Sequence, residues 1–164
     1  MSMDVSFYMH LENIKTSYQS KELCIPNGYQ FVMVPNMYVW YDVASQSFED
    51  TLSYNEQSFC DKYLVDGKYW REGVFIIQDT NTKEYVDYIM SWLPKLDVKV
   101  GQLHWLCVKP GHRDKGIATC LINQVLCFFK EKNFESVYLK TETFRDKAIS
   151  LYKRFGFKEY NVML

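Results

Sequence analysis

Residues 102–132 constrain the fold more than any other part of this 164-residue chain. Gln102 to Val108 is an apolar run with the character of a buried strand, and it ends at Pro110. A short polar loop carrying Arg113 and Lys115 leads to Gly116. From Gly116 to Lys132, Ile117, Leu121, Ile122, Val125 and Phe129 recur at helical spacing and make one apolar stripe. Strand, tight loop and amphipathic helix in immediate succession imply a sheet covered by a helix. The helix start leaves several backbone N–H groups unpaired and carries a partial positive charge, so it suits an anion. Gly116 has no Cβ and lets the backbone approach a ligand. The loop therefore has the make-up of a phosphate or pyrophosphate holder. It is neither a P-loop, since no Gly-x-x-x-x-Gly-Lys-Ser/Thr occurs, nor a dinucleotide-binding turn, since a single glycine follows the strand at that spacing.

The rest of the chain supplies the partners of that unit. Phe7 to Leu11 reads as a short lead-in strand, and Pro26-Asn27-Gly28 as a turn. Tyr29 to Val34 reads as a strand. Pro35-Asn36 opens a helical pattern carried by Met37, Trp40, Val43 or Ala44, and Phe48. A second helix is expected over about residues 49–64, ended by Asp66-Gly67. Gly73–Gln78 and Glu84–Trp92 read as a hairpin across a polar turn. After the central strand and long helix come a strand over 135–143, a helix over about 146–155 capped by Gly156, and a strand over 157–163.

Strands linked through helices pair in parallel, and the hairpin pairs antiparallel. The expected fold is a single α/β domain over residues 1–164. It has a mixed central sheet of about six to seven strands and helices on both faces.

A second motif lies downstream: Ala148-Ile149-x-Leu151-Tyr152-x-x-x-Gly156-Phe157. Together with Arg113-x-x-Gly116-x-Ala118, in this order and at this spacing, it resembles the GNAT superfamily of acyl-CoA-dependent N-acyltransferases. The close match covers about residues 102–158, the expected acyl-CoA-binding core, with acceptor-side helices at about 36–64. The resemblance implies a sheet splayed between its fourth and fifth strands, with the pantetheine arm of the cosubstrate entering the split. It implies acetyl-CoA as cosubstrate, no metal, and transfer of the acetyl group to a primary amine by direct attack in a ternary complex.

The resemblance also assigns roles. Backbone groups from Arg113 through Asp114, Lys115, Gly116, Ile117 and Ala118 hold the pyrophosphate, with Thr119 as an added contact. Leu106 and Val108 offer strand backbone to the pantetheine amides, and an N–H near Leu106 polarises the thioester. Tyr152 is the general acid for the leaving thiolate; its ordinary pKa, near about 10, is close to that of a thiol. Arg145, counted with the cofactor-binding residues, stands where many members carry Asn. Lys140 and Gln102 occupy positions where some members carry a Glu base. His104 and Glu142, two residues along the same strand faces, are the remaining candidate bases. These departures leave a non-catalytic CoA-binding regulatory module as the competing reading.

Charge and composition narrow the partners. Residues 1–100 hold 8 Lys/Arg and 14 Asp/Glu, whereas residues 101–164 hold 11 and 6, so the basic side coincides with the expected phosphate loop. A formal net charge of −1 argues against nucleic acid or an anionic membrane surface as partner. The acceptor is expected to be an amine-bearing small molecule or peptide. Asp42, Glu49, Asp50 and Glu56 beside Tyr38, Trp40, Tyr41 and Tyr54 suit a cationic one. A homodimer is compatible with all of this. Cys24, Cys60, Cys107, Cys120 and Cys127 show no metal spacing, and His10, His104 and His112 make no metal box. Reduced thiols, a non-secretory N-terminus and the lack of a membrane-length apolar segment point to a cytoplasmic protein.

Overall fold

A computed structural model describes residues 6–20, 22, 25–32, 37–47, 57–58, 61, 69–93 and 98–160. The strands are β1 (Ser6–Leu11), β2 (Tyr29–Val32), β3 (Tyr69–Asp79), β4 (Tyr85–Trp92), β5 (Val100–Val108), β6 (Ser136–Glu142) and β7 (Lys158–Tyr160). The helices are α1 (Ile14–Ser17), α2 (Met37–Ser47), α3 (Ile117–Glu131) and α4 (Asp146–Arg154). All seven strands form one sheet in the order β2-β3-β4-β5-β6-β1-β7. Pairing is antiparallel throughout except between β5 and β6, which run parallel because α3 carries the chain back across the sheet.

The expected mixed α/β sheet is therefore present. The expected split lies between β5 and β6, which are the fourth and fifth strands when the lead-in strand is left out of the count. The two pair only through Val100–Gln102 with Ser136–Tyr138 and then part.

Helices cover both faces. On one side α2 packs Trp40, Val43 and Ala44 against Ile76, Tyr88, Met90 and Cys107. On the other, α3 buries Leu121, Ile122, Val125 and Phe129 with Ile77, Val86, Ile89 and Leu103, and Leu151 and Tyr152 of α4 join the same cluster. The stripe read from the sequence is thus the buried face of α3. Its close approach needs Gly101, where a Cβ would come within 2.2 Å of Phe129 Cε1.

Three local features go beyond the sequence reading. The lead-in strand lies inside the sheet: β1 lies between β6 and β7, antiparallel to both, with Met9 opposite Leu139 and Glu159. β3 begins at Tyr69, since its pairing extends to Trp92 at the far end of β4. The one-turn helix α1, which the sequence did not signal, follows β1 and buries Ile14. Of the second acceptor-side helix, residues 57–58 and 61 are helical; Glu49, Asp50, Tyr54 and Glu56 lie outside the described residues.

Candidate active site

The site is built on the free half of β5. Along β4 the pairing steps from Tyr88–Cys107 to Met90–His104, so β5 carries one extra residue, a β-bulge. Trp105 sits in the bulge at φ 56°, a conformation uncommon for a bulky residue. On the far side of the bulge, Lys109 N–H donates to Val86 O of β4 at 2.9 Å. Because peptide groups alternate along a strand, those of Val108 and Leu106 face the opposite way, into the gap left by β6.

At the top of the gap the chain makes a 3₁₀ turn over Pro110–His112 and enters α3 through Gly116. Gly116 is the N-cap at φ 84°, and no side chain caps the helix. The first helical bond reaching back to it is Cys120 N–H to Gly116 O, so the N–H groups of Ile117, Ala118 and Thr119 lie ahead of the helical ladder. Among the described residues, a Cβ at position 116 would come within 4 Å only of Pro26 Cγ, at 3.9 Å. The left-handed backbone at this position favours glycine.

The side chains of the loop are already engaged. Arg113 Nε donates to Val108 O at 3.0 Å, and its Nη2 donates to Ser47 O at the end of α2 at 3.2 Å. Lys115 Nζ donates to Tyr29 Oη at 3.2 Å. Asp114, at φ 60°, accepts from Lys147 Nζ on the first turn of α4. The loop thus presents main-chain donors, while Arg113 braces it from beneath.

Tyr152 is buried and packs edge-on against Phe157. Burial pushes its phenol well above the usual tyrosine value, and the Arg145 charge pulls the other way. Arg145 is the N-cap of α4; it pairs with Glu142 and lies 4.9 Å from the Phe144 ring centre. Of the two candidate bases, Glu142 is therefore held by a cation. His104 is half-buried, stacked on Trp92 and tilted against Trp105. Its Nδ1 is 3.5 Å from Gln102 Nε2, and Gln102 Oε1 accepts from Tyr138 Oη at 3.2 Å. His104 lies with the aromatic groups beside α2, and Tyr152 with the cluster under α3, so the two stand on opposite faces of the sheet across the gap.

Two residues escaped the sequence reading. Lys109 is almost fully buried and bonded to two carboxylates, but nothing local distinguishes it from a surface lysine at a strand end. Asp87 is fully buried in β4, and neither carboxylate oxygen has a hydrogen-bond partner among the described residues. Burial pushes its carboxyl well above the usual range, opposed only by the nearby Tyr88 backbone amide. A lone carboxylate in an otherwise apolar strand was a visible signal. Among the described residues, no group of three or more His, Cys, Asp or Glu side chains is placed to hold a metal ion. No helix there is long and apolar enough to cross a membrane.

Comparison with known proteins places this geometry. The model of the acetyltransferase (GNAT) family matches residues 35–157. An uncharacterized N-acetyltransferase of Methanocaldococcus jannaschii is 29% identical over 117 residues, covering 63% of this chain and 52% of its own length. An N-alpha-acetyltransferase of Sulfurisphaera tokodaii is 36% identical over 103 residues, covering 56% of this chain and 60% of its own. The chain thus spans about half to three-fifths of the length of these curated relatives. Among solved structures, a GCN5-related N-acetyltransferase from Sphaerobacter thermophilus superposes with a TM-score of 0.75 at 18% identity, over 94% of this chain and 48% of that one.

Proposed function

The chain belongs to the GNAT acetyltransferase family, and from that premise we propose that it transfers an acetyl group from acetyl-CoA to a primary amine by direct attack in a ternary complex. The observation that carries this reading is the parting of β5 and β6 after three paired residues, directly below a helix start with no side-chain cap. A gap lined by strand peptide groups and closed by free N–H donors suits a thin amide-bearing arm ending in a diphosphate.

In this reading the N–H groups of Ile117, Ala118 and Thr119 take the diphosphate, and the peptide groups of Val108 and Leu106 take the amides of the arm. The Leu106 N–H polarises the thioester carbonyl. The amine nitrogen attacks the carbonyl carbon, the C–S bond breaks, and Tyr152 Oη–H gives its proton to the sulfur. His104 takes the proton lost by the amine; Glu142, paired with Arg145, is the weaker candidate. Burial keeps Tyr152 protonated but makes its proton harder to give to a thiolate, and Arg145 is the charge that would offset the transient phenolate. Acid and base standing on opposite faces fit a thioester lying between them. Holding both substrates in one geometry supplies about 7 kcal/mol or more of the barrier in favourable cases, and acid–base help about 10²–10⁴-fold. The thiols of Cys107, Cys120 and Cys127, none of them in a disulfide, support placement in a reducing compartment such as the cytoplasm.

The test is thiol release from acetyl-CoA against a panel of small amines and peptide N-termini. Turnover is expected on at least one acceptor class. Tyr152→Phe should lower kcat by about 10²-fold with KM for acetyl-CoA nearly unchanged. Tight coenzyme A binding with no turnover on any amine would replace the enzyme reading with that of a carrier-binding module.

A further inference from the structure

A chain of polar contacts joins the acceptor-side helix to the carrier loop, and it centres on a residue that the reaction scheme does not use. Lys109 follows β5 directly and its side chain is only 5% exposed. Its Nζ donates to Asp42 Oδ2 of α2 at 2.8 Å and to Glu84 Oε1 of the β3–β4 turn at 3.0 Å. The other oxygen of Glu84 lies 3.6 Å from His112 Nε2. His112 Nδ1 is bonded to Tyr29 Oη at 2.9 Å, and Tyr29 Oη accepts from Lys115. Independently, Arg113 ties the loop to α2 at Ser47 O. The loop therefore grips α2 at Asp42 and again at Ser47, about 7.5 Å further along the helix axis.

Two attachments fix both the rotation and the height of a helix, as one does not. Lys109 is no phosphate ligand, because it is buried and already serves two carboxylates. Its carboxylate partners are 46% and 42% exposed, so it is the ammonium alone that the fold holds away from water. A buried ammonium that released Asp42 and Glu84 would be left uncompensated, so the contacts hold as a unit.

We propose that Lys109 is a positioning residue which, with Arg113, couples the acceptor-side helix α2 to occupancy of the carrier loop. The proposal rests on the carrier-binding reading given above. When an anion settles on the α3 N-terminus it orders residues 113–116, and the two attachments pass that order to α2. Binding of one substrate thereby prepares the surface that receives the other.

Hydrogen exchange of the α2 amides over residues 39–47, with and without saturating coenzyme A, tests this without knowledge of the acceptor. In the unaltered protein coenzyme A should slow exchange in α2 by about tenfold, an ordinary size for site–site coupling. Asp42→Asn removes the charge that holds Lys109 to α2, leaving at most a neutral hydrogen bond, while Lys109 stays neutralised by Glu84. It should bind coenzyme A with nearly the parent affinity in calorimetry yet lose most of the slowing, and Asp42→Glu should restore it. A merely structural role for Lys109 would change α2 exchange equally with and without ligand. Binding of coenzyme A with no effect on α2, or full slowing in Asp42→Asn, overturns the coupling alone. Absence of coenzyme A binding in the unaltered protein overturns the carrier reading and the coupling with it.

Discussion

The proposed carrier side of the molecule (β5, α3, β6 and α4) and the proposed acceptor side (α2 on the β3–β4 hairpin) are specified at different ranges. On the carrier side the decisive residues are close in sequence. Gly116 is one residue from the donors it exposes, and Glu142 and Arg145 pair across a single turn. On the acceptor side the decisive contacts are remote: Lys109 meets Asp42 across 67 positions, and Arg113 meets Ser47 O across 66. A phosphate holder can be made from one loop, whereas the placement of a helix that receives a second substrate depends on where the whole sheet brings its neighbours. The first is therefore written as a motif and the second is not.

Substitutions on each side sharpen the contrast. The largest loss is expected from Trp40→Ala on the acceptor side. Trp40 is fully buried against Trp105, and truncation should cost about 3–5 kcal/mol in a urea melt. Gly116→Asp strikes the proposed carrier side: it adds the strain of a side chain at φ 84° but meets no steric clash among the described residues. A carboxylate at the N-cap would satisfy the α3 donors itself and repel the diphosphate, so coenzyme A affinity should fall by at least about 100-fold in calorimetry while the fold survives. Gly101→Ala tests packing in the same half. Its methyl group would press into Phe129, and a loss of about 1–3 kcal/mol is expected, with carrier affinity retained in the folded fraction.

The smallest effect belongs to Asp87→Asn, on β4 opposite Val108 of β5. The carboxyl of Asp87 has a folded pKa above its unfolded one, so the folded state favours the protonated form. Its contribution is intact below about pH 4 and is lost as pH rises through the ordinary carboxylate range toward the raised value. Asparagine should remove that slope. The variant should melt close to the parent near pH 4 and about 2–4 °C higher at pH 8, as expected for about 1 kcal/mol in a domain of this size. A parent and variant with parallel pH–Tm curves would contradict the burial of an ionisable group at this position.

Within the carrier side, the sequence located the elements well and the interactions less well. The apolar stripe of α3 and the turn at Gly116 are consequences of helical period and of backbone geometry, both local properties. The resemblance names Arg113 and Lys115 as pyrophosphate contacts chiefly through backbone groups, and the fold engages the side chain of Arg113 with two main-chain carbonyls and that of Lys115 with Tyr29. His104 and Glu142 were equivalent by strand alternation, and only the Arg145 contact separates them. The bulge at Trp105 left no trace in the apolar pattern, because it depends on which β4 residue lies opposite.

By itself, the sequence determined the mixed α/β class, the strand–loop–helix unit with unpaired backbone donors at its helix start, and the second motif that marks the family. These follow from periodicity and backbone preference, which act within a few residues. Tertiary structure alone decided that β1 would lie inside the sheet, that β6 would leave β5 after three residues, and that a buried lysine would tie α2 to the carrier loop. Those features depend on contacts between distant segments, where burial makes each polar group require a partner that no local pattern can specify.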